Sequence, residues 1–337
     1  MTIKRSLIGL AVLMALSAAS AYGAWWWVMQ RVVPMQSERI DYVVEAGAGP
    51  KAIARTMRQA GIDVDEQQFA LLARLTEQDK LLQAGAYEAV QGDTLWRLLE
   101  RMAQGDMMQT RLTFVEGWDY KRIRQQLAAD TNVKQTLALT PEADTLLMTQ
   151  LVEGALPLNP EGLFYPDTYV FVPGTSDFDI LRRAYQAQNE LLETLWAERE
   201  PDLPLKTPYE ALILASIVEK ETGHSADRER VAGVFINRLR QGMLLQTDPT
   251  VIYGMGEAYE GRIRKRDLQT DTPWNTYTRA GLPPTPIASP GKAALLATLH
   301  PEKHDYLYFV SRGDGTSQFS KNLNEHNRAV RKYILNK

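Results

Sequence analysis

The stretch Tyr209-Glu210-Ala211-Leu212-Ile213-Leu214-Ala215-Ser216-Ile217-Val218-Glu219-Lys220-Glu221-Thr222-Gly223 decides how this chain is read. Residues 211–218 form an apolar run too long and too rich in Ala and Leu for a strand. They predict a helix that is apolar on most faces and is therefore buried. Two glutamates close it, Glu219 and Glu221. A carboxylate carried inward costs free energy unless it is paired, protonated or used. At about 100° per residue, Glu219 stands over Leu212, Ala215 and Ser216, while Glu221 lies roughly opposite, over Leu214 and Ile217. Ala215 and Ser216 are small and leave room. Glu219 is therefore the carboxylate expected to face a cleft, with Glu221 against packed structure or paired at the rim. The plainer reading makes both of them last-turn residues near solvent, bonded to Lys220 or Arg228.

The residues beyond Gly223 favour a site. Asp227 can cap a second helix, with Val231, Val234, Phe235 and Leu239 at helical spacing and Gly242 as its stop. Then comes Leu245-Gln246-Thr247-Asp248-Pro249-Thr250-Val251-Ile252-Tyr253-Gly254, which reads as a polar loop between apolar flanks. A buried acid followed by a polar, Tyr-bearing loop suits a sugar cleft with one general acid. Further on, Pro273-Trp274-Asn275-Thr276-Tyr277 and Gly281-Leu282-Pro283-Pro284-Thr285-Pro286-Ile287 read as rigid, non-helical loops of the kind that line binding clefts.

Three of these strings, Ala215-Ser216-Ile217-Val218-Glu219-Lys220-Glu221-Thr222, Val234-Phe235-Ile236-Asn237-Arg238-Leu239 and the segment from Leu245 through Gly254, resemble the endolytic murein transglycosylase (YceG-like) family. So do Glu161-Gly162 followed by Pro166-Asp167-Thr168-Tyr169, the Asn275-Thr276-Tyr277 string, and Gly281-Leu282-Pro283-Pro284. Thr285 stands where the family often has Gly. The resemblance is clear over residues 112–333 and looser before them.

Length and composition set the frame. With 337 residues the chain can hold two domains and a sizeable core. A net charge of −3 argues against a nucleic-acid footprint over the whole chain. Cysteine is absent, which excludes a disulfide framework, a thiol nucleophile and a Cys-based metal site. The four histidines, His224, His300, His304 and His326, do not pair at metal-ligand spacing, so no metal and no cofactor are expected. His326 reads as a scaffold residue.

Lys4 and Arg5 precede an uncharged stretch, and residues 7–29 are enough to span a bilayer. The basic pair keeps the N-terminus in the cytoplasm, and Trp25-Trp26-Trp27 fits an interfacial belt at the far end. A signal peptide cleaved near Ala21 is the competing reading. Residues 31–40 read as a linker. Residues 41–108 read as a small module of strand, helix, helix, strand and helix, whose closing part, from Tyr87 through Leu99, is similar to the glycan-binding LysM module. Residues 109–337 form the main domain. The expected fold class is α+β: a cytoplasmic tip and N-terminal transmembrane helix within 1–30, a small LysM-like αβ module and a larger mixed α+β catalytic domain. The cluster Arg262, Arg264, Lys265 and Arg266 reads as a solvated surface loop.

The family resemblance implies cleavage of the β-1,4 bond between N-acetylmuramic acid and N-acetylglucosamine in peptidoglycan. The muramyl 6-hydroxyl attacks its own anomeric carbon and leaves a 1,6-anhydro end. Ordinary glycosidases need two carboxylates at a set separation, and an internal nucleophile removes the need for the second. Glu219 is then the catalytic residue, acid first and base second, kept protonated by burial. Gln246, Thr250, Tyr253, Asn275 and Tyr277 are the candidates for holding acetamido and hydroxyl groups. Asp248 stands with them, and across the cleft it would serve as a second carboxylate and permit hydrolysis. The expected partners are peptidoglycan strands, the inner membrane and, from the resemblance, peptidoglycan synthases. The catalytic region is expected in the periplasm. A hydrolytic muramidase using Glu219 and Asp248, and a non-enzymatic glycan-binding scaffold, are the alternatives.

Overall fold

The computed structural model describes residues 13–20, 22–23, 25–26, 29–152 and 159–335. Of the anchor expected over residues 7–29, residues 7–12, 21, 24 and 27–28 lie outside that set. Among the described residues, no helix is long and apolar enough to cross a membrane. The chain forms two compact units. One comprises Met1–Thr110 with Val170–Thr175, the other Arg111–Tyr169 with Ser176–Lys337.

In the first unit, β1 (Arg39–Val44) alternates exposed and buried residues, and Ile40, Tyr42 and Val44 face inward. Helices α1 (Pro50–Gln59) and α2 (Glu66–Leu75) come next, then β2 (Gly85–Val90) and α3 (Leu95–Gln104). β1 and β2 are antiparallel, with Tyr42 opposite Tyr87 and their rings stacked at 5.9 Å. Asp65 caps α2 by accepting the N–H groups of Gln67 and Gln68, both at 2.9 Å. Gly105 ends α3 at φ 71°, a left-handed position that favours glycine. The segment 31–39, a linker by its sequence, is built into this unit. Val33 is buried and its N–H donates to Asp93 O at 2.9 Å, while Met35 bridges Ile62. Its backbone pairs with the turns around Ile62 and Thr94, and its apolar side chains pack in preference to remaining solvated.

The second unit is mostly helical. It opens where Phe114 N–H donates to Asp167 O at 2.9 Å and the Phe114 and Tyr169 rings meet at 5.1 Å. Its helices are α4 (Tyr120–Ala129), α5 (Pro141–Leu151), α6 (Asp177–Ala197), α7 (Pro208–Glu221), α8 (Ser225–Arg240), α9 (Asp248–Met255), α10 (Lys265–Gln269), α11 (Lys292–Leu299) and α12 (Leu323–Val330). A hairpin of β3 (Tyr308–Ser311) and β4 (Ser317–Ser320) lies before α12, with Tyr308 opposite Ser320.

Helix α7 is the centre of this unit. Thr207 caps it, Pro208 occupies its first turn, and every residue from Ala211 through Val218 is buried. It packs on α6, α8 and α11. Each of Leu212, Ile213, Leu214, Ile217 and Val218 contributes roughly 1.5–3 kcal/mol by leaving water, which holds the end of the helix, and its two glutamates, in fixed positions.

Two further sequence expectations change. The polar loop through Gly254 contains a helix, α9, because Asp248-Pro249 makes a favourable first turn. Asp227 does not cap α8: it is buried and accepts the Ser317 N–H at 2.7 Å, tying α8 to the hairpin.

Candidate functional site

The two faces of α7 end in different surroundings. Ser216 and Glu219 share one face, as their spacing requires. Ser216 Oγ accepts the Ile287 N–H at 3.0 Å, and Glu219 Oε2 accepts the Gly291 N–H at 3.0 Å. The room left by Ala215 and Ser216 is thus filled by main chain. Glu116 reaches the same place: a Cβ on Gly291 would lie 1.8 Å from Glu116 Oε1. Gly117 N–H donates to Ser289 O at 2.9 Å, closing that side, and Lys220 Nζ donates to Gly117 O at 3.2 Å. Glu219 is half-buried. Burial raises its pKa, the Gly291 N–H opposes that rise, and the neighbouring Glu116 charge adds to it.

Glu221 faces the other way, into a cleft of about 360 Å³. Gln246, Asp248 and Tyr277 line that cleft, with Arg238, Leu245, Phe235, Tyr308, Phe309, Leu323 and His326. Thr247 donates its hydroxyl to Glu221 Oε1. Tyr277 donates its hydroxyl to Asp248 Oδ1 at 2.6 Å. Burial raises the Glu221 pKa to about 7, with the Thr247 hydrogen bond lowering it and the Asp248 charge raising it. Arg238 does not neutralise it by direct pairing. Its guanidinium lies over the Tyr308 ring at 5.0 Å and donates to the carbonyls of Leu307 and Leu245, both at 2.7 Å. His326 stacks on the same Tyr308 ring, with centroids 5.2 Å apart and planes at 27°. Burial lowers the His326 pKa and Arg238 lowers it further, so the ring is neutral near pH 7. Its Nδ1 is buried without a hydrogen-bond partner.

Of the candidates read from the sequence, Gln246, Asp248 and Tyr277 come together, and they gather around Glu221. Glu219, Thr250, Tyr253 and Asn275 do not line this cleft. Thr250 is fully buried, donating to Thr247 O at 2.7 Å and meeting Thr276 Oγ1 at 2.8 Å. Asn275 is fully buried too, and its amide donates to Thr270 O at 2.7 Å and Leu268 O at 3.1 Å. Both brace the backbone that presents Gln246 and Tyr277, since Gln246 N–H donates to Thr276 O and Tyr277 N–H to Asn275 Oδ1. Tyr253 donates to Glu161 Oε2 at 3.0 Å. Glu161 is buried, takes the Tyr120 N–H at 3.1 Å, and has its pKa raised to about 8 by burial.

Thr247 and Arg238 lie in strings that the sequence singles out but are not distinguished there from their neighbours, and Tyr308 and His326 carry no sequence signal that points to a cleft. Tyr308 sits in a run that reads as an ordinary buried strand, and His326 lies 105 positions after Glu221 with no local partner. Only tertiary packing brings them together.

The arrangement can do specific chemistry. A protonated carboxyl with one hydroxyl partner can donate to a glycosidic oxygen. Tyr308 gives the cleft an aromatic wall on which Arg238 and His326 pack, and Gln246, Asp248 and Tyr277 offer amide, carboxylate and hydroxyl groups along the walls.

Comparisons with known proteins agree in kind. The model of the YceG-like family matches residues 42–332. A Bacillus subtilis protein named endolytic murein transglycosylase is 32% identical over 88% of this chain and 86% of its own length. A Streptococcus pneumoniae protein of the same name is 27% identical over 99% of this chain and 66% of its own length. The crystal structure of a Listeria monocytogenes protein described as yceG-like superposes with a TM-score of 0.55 at 28% identity, covering 86% of this chain and 98% of that one.

Proposed function

This chain belongs to the YceG-like family, and from that premise we propose that it is an endolytic murein transglycosylase with Glu221 as its acid and base. Glu221 protonates the oxygen of the β-1,4 bond between N-acetylmuramic acid and N-acetylglucosamine. The bond from the muramyl anomeric carbon to that oxygen breaks. The muramyl 6-hydroxyl oxygen then bonds to the same carbon, and the Glu221 carboxylate takes the hydroxyl proton. Glu221 ends protonated, and the glycan ends in 1,6-anhydro-N-acetylmuramic acid. No water is consumed.

The observation that carries this reading is the cleft: a carboxyl raised to about 7 by burial, opening onto an aromatic and polar groove. A general acid works best with a pKa near the working pH. Glu219 is the second candidate, supported by its raised pKa and its place beside Glu116. Its niche is filled by the loop through Gly291, which leaves Glu221 the better placed of the two.

One alternative has a specific observation behind it. Asp248 shares the cleft with Glu221, and two carboxylates are what a hydrolytic muramidase needs. Tyr277 already occupies Asp248 Oδ1, which favours a binding role for Asp248. Mass spectrometry of digested peptidoglycan tests the choice: anhydro ends support transglycosylation, and reducing muramic ends support hydrolysis.

The surroundings belong to the same proposal. Lys4, Arg5, the uncharged stretch and the Trp triplet support an uncleaved anchor in the inner membrane, N-terminus inside, with both units in the periplasm. The strand, helix, helix, strand and helix order of the first unit supports a LysM-like module. Peptidoglycan strands are the substrate, and peptidoglycan synthases are the proposed partners.

A further inference from the structure

The segment Gln246-Thr247-Asp248 gives up local stability in two places. Gln246 sits at φ 49°, a left-handed position that a side chain other than Gly or Asn rarely takes. Thr247 stands at the N-cap of α9, where a hydroxyl ordinarily accepts a helix N–H, yet its side chain makes no such bond. The hydroxyl goes to Glu221. Thr247 is itself buried and pinned, its N–H donating to Thr276 Oγ1 at 3.1 Å. The next residue, Asp248, is held by Tyr277. Backbone strain and a missing cap at adjacent positions, both beside one carboxyl, mark a segment shaped to serve that carboxyl.

We propose that Thr247 and Asp248 are positioning residues for Glu221: the Thr247 hydroxyl fixes the carboxyl's orientation and the oxygen on which it carries its proton, and Asp248 sets a like charge on the wall of the same cleft. The inference rests on Glu221 being the acid. A hydroxyl that donates to Oε1 leaves Oε2 as the protonated oxygen, and after proton transfer the same hydroxyl stabilises the carboxylate. Asp248 acts in the opposite sense: its charge makes the carboxylate form of Glu221 costlier. The other titratable or charged groups around Glu221 are Arg238 from α8, Tyr277 from the loop after α10, Tyr308 from β3 and His326 from α12. Arg238 opposes the rise in the Glu221 pKa. Tyr277 stays neutral, its pKa being raised by burial and by Asp248.

The test is the pH profile of kcat/KM for the full-length protein on purified peptidoglycan, with anhydro ends as the readout. The alkaline limb reports loss of the Glu221 proton. Asp248→Asn removes a like charge, so its limb moves to lower pH by about one pH unit. Thr247→Val removes a bond that favours the carboxylate, so its limb moves to higher pH, with kcat/KM at the optimum lower by about tenfold. Thr247→Ser restores the parental profile. Opposite shifts from neighbouring residues, with rescue by serine, are not what a purely structural role produces. If Glu221→Gln is inactive while both limbs stay where they are in folded variants, the positioning role is wrong and the acid is right. If Glu221→Gln retains activity, the assignment of the acid itself is wrong.

Discussion

Thr247 turns its hydroxyl away from the helix it begins and toward Glu221. A capping hydroxyl is worth about 1 kcal/mol to a helix, so its diversion gives up a helix cap for a hydrogen bond to the Glu221 carboxyl. On the opposite face, Glu219 is occupied by the backbone of Gly291.

Strain at Gln246 gives a prediction that separates stability from activity. Glycine takes φ 49° without penalty. Gln246→Gly is expected to raise stability by about 1 kcal/mol and to lower activity on peptidoglycan, because a cleft-lining amide is lost. Urea midpoints and turnover measured on the same preparation check both.

The pH dependence of stability comes from two buried acids. Glu161 and Glu221 hold pKa values of about 8 and about 7 in the folded chain, against 4.5 as the ordinary value. The folded state therefore binds more protons than the unfolded state between those limits. Their contribution to stability is full below about pH 4.5 and falls as pH rises toward 8. Glu161→Gln, which keeps an acceptor for the Tyr120 N–H, is expected to flatten that fall and to leave the protein more stable than the parent at pH 8, by on the order of 1–3 kcal/mol. Denaturant midpoints at pH 5 and pH 8 decide it.

The Glu219 side predicts a packing defect. Any side chain at position 291 meets the Glu116 carboxylate. Glu116 is exposed and meets that Cβ with the far end of a flexible side chain, so it can turn aside and Gly291→Ala is expected to destabilise by no more than about 1 kcal/mol. Pairing it with Glu116→Ala, which vacates that space, is expected to recover most of the loss, as thermal unfolding of the single and double variants would report.

Tyr308 predicts a binding effect. Its ring is held by the Arg238 guanidinium and the His326 ring. Tyr308→Ala removes the ring on which those two groups pack, and the loosened cleft wall is expected to raise KM by about tenfold while leaving the alkaline limb of kcat/KM in place. Steady-state kinetics on glycan strands across pH separates the two effects.

How much of the fold and site was legible in the sequence is clearest along α7. Its burial, its boundaries and the opposite facing of its two glutamates are set by composition and the 3.6-residue period. Which glutamate meets open space is not. Small neighbours, Ala215 and Ser216, mean room, but a helix cannot say whether a ligand or a loop fills it. Here the loop through Ile287 and Gly291 does. The residues that shape the cleft, Arg238, Tyr308 and His326, come from three elements far apart in the chain, beyond the reach of local periodicity. Gln246, Asp248 and Tyr277 were readable as polar groups in tight segments, while Thr250 and Asn275, equally polar, turned inward to satisfy backbone carbonyls.

The central claim concerns which of two neighbouring glutamates donates the proton. Release of anhydro-muramyl ends from purified peptidoglycan by full-length Glu221→Gln and Glu219→Gln proteins, each verified as folded, measures it directly. The expected result is loss of at least about a thousandfold for Glu221→Gln and substantial activity for Glu219→Gln. The reverse pattern, with Glu221→Gln active and Glu219→Gln dead, would contradict the account.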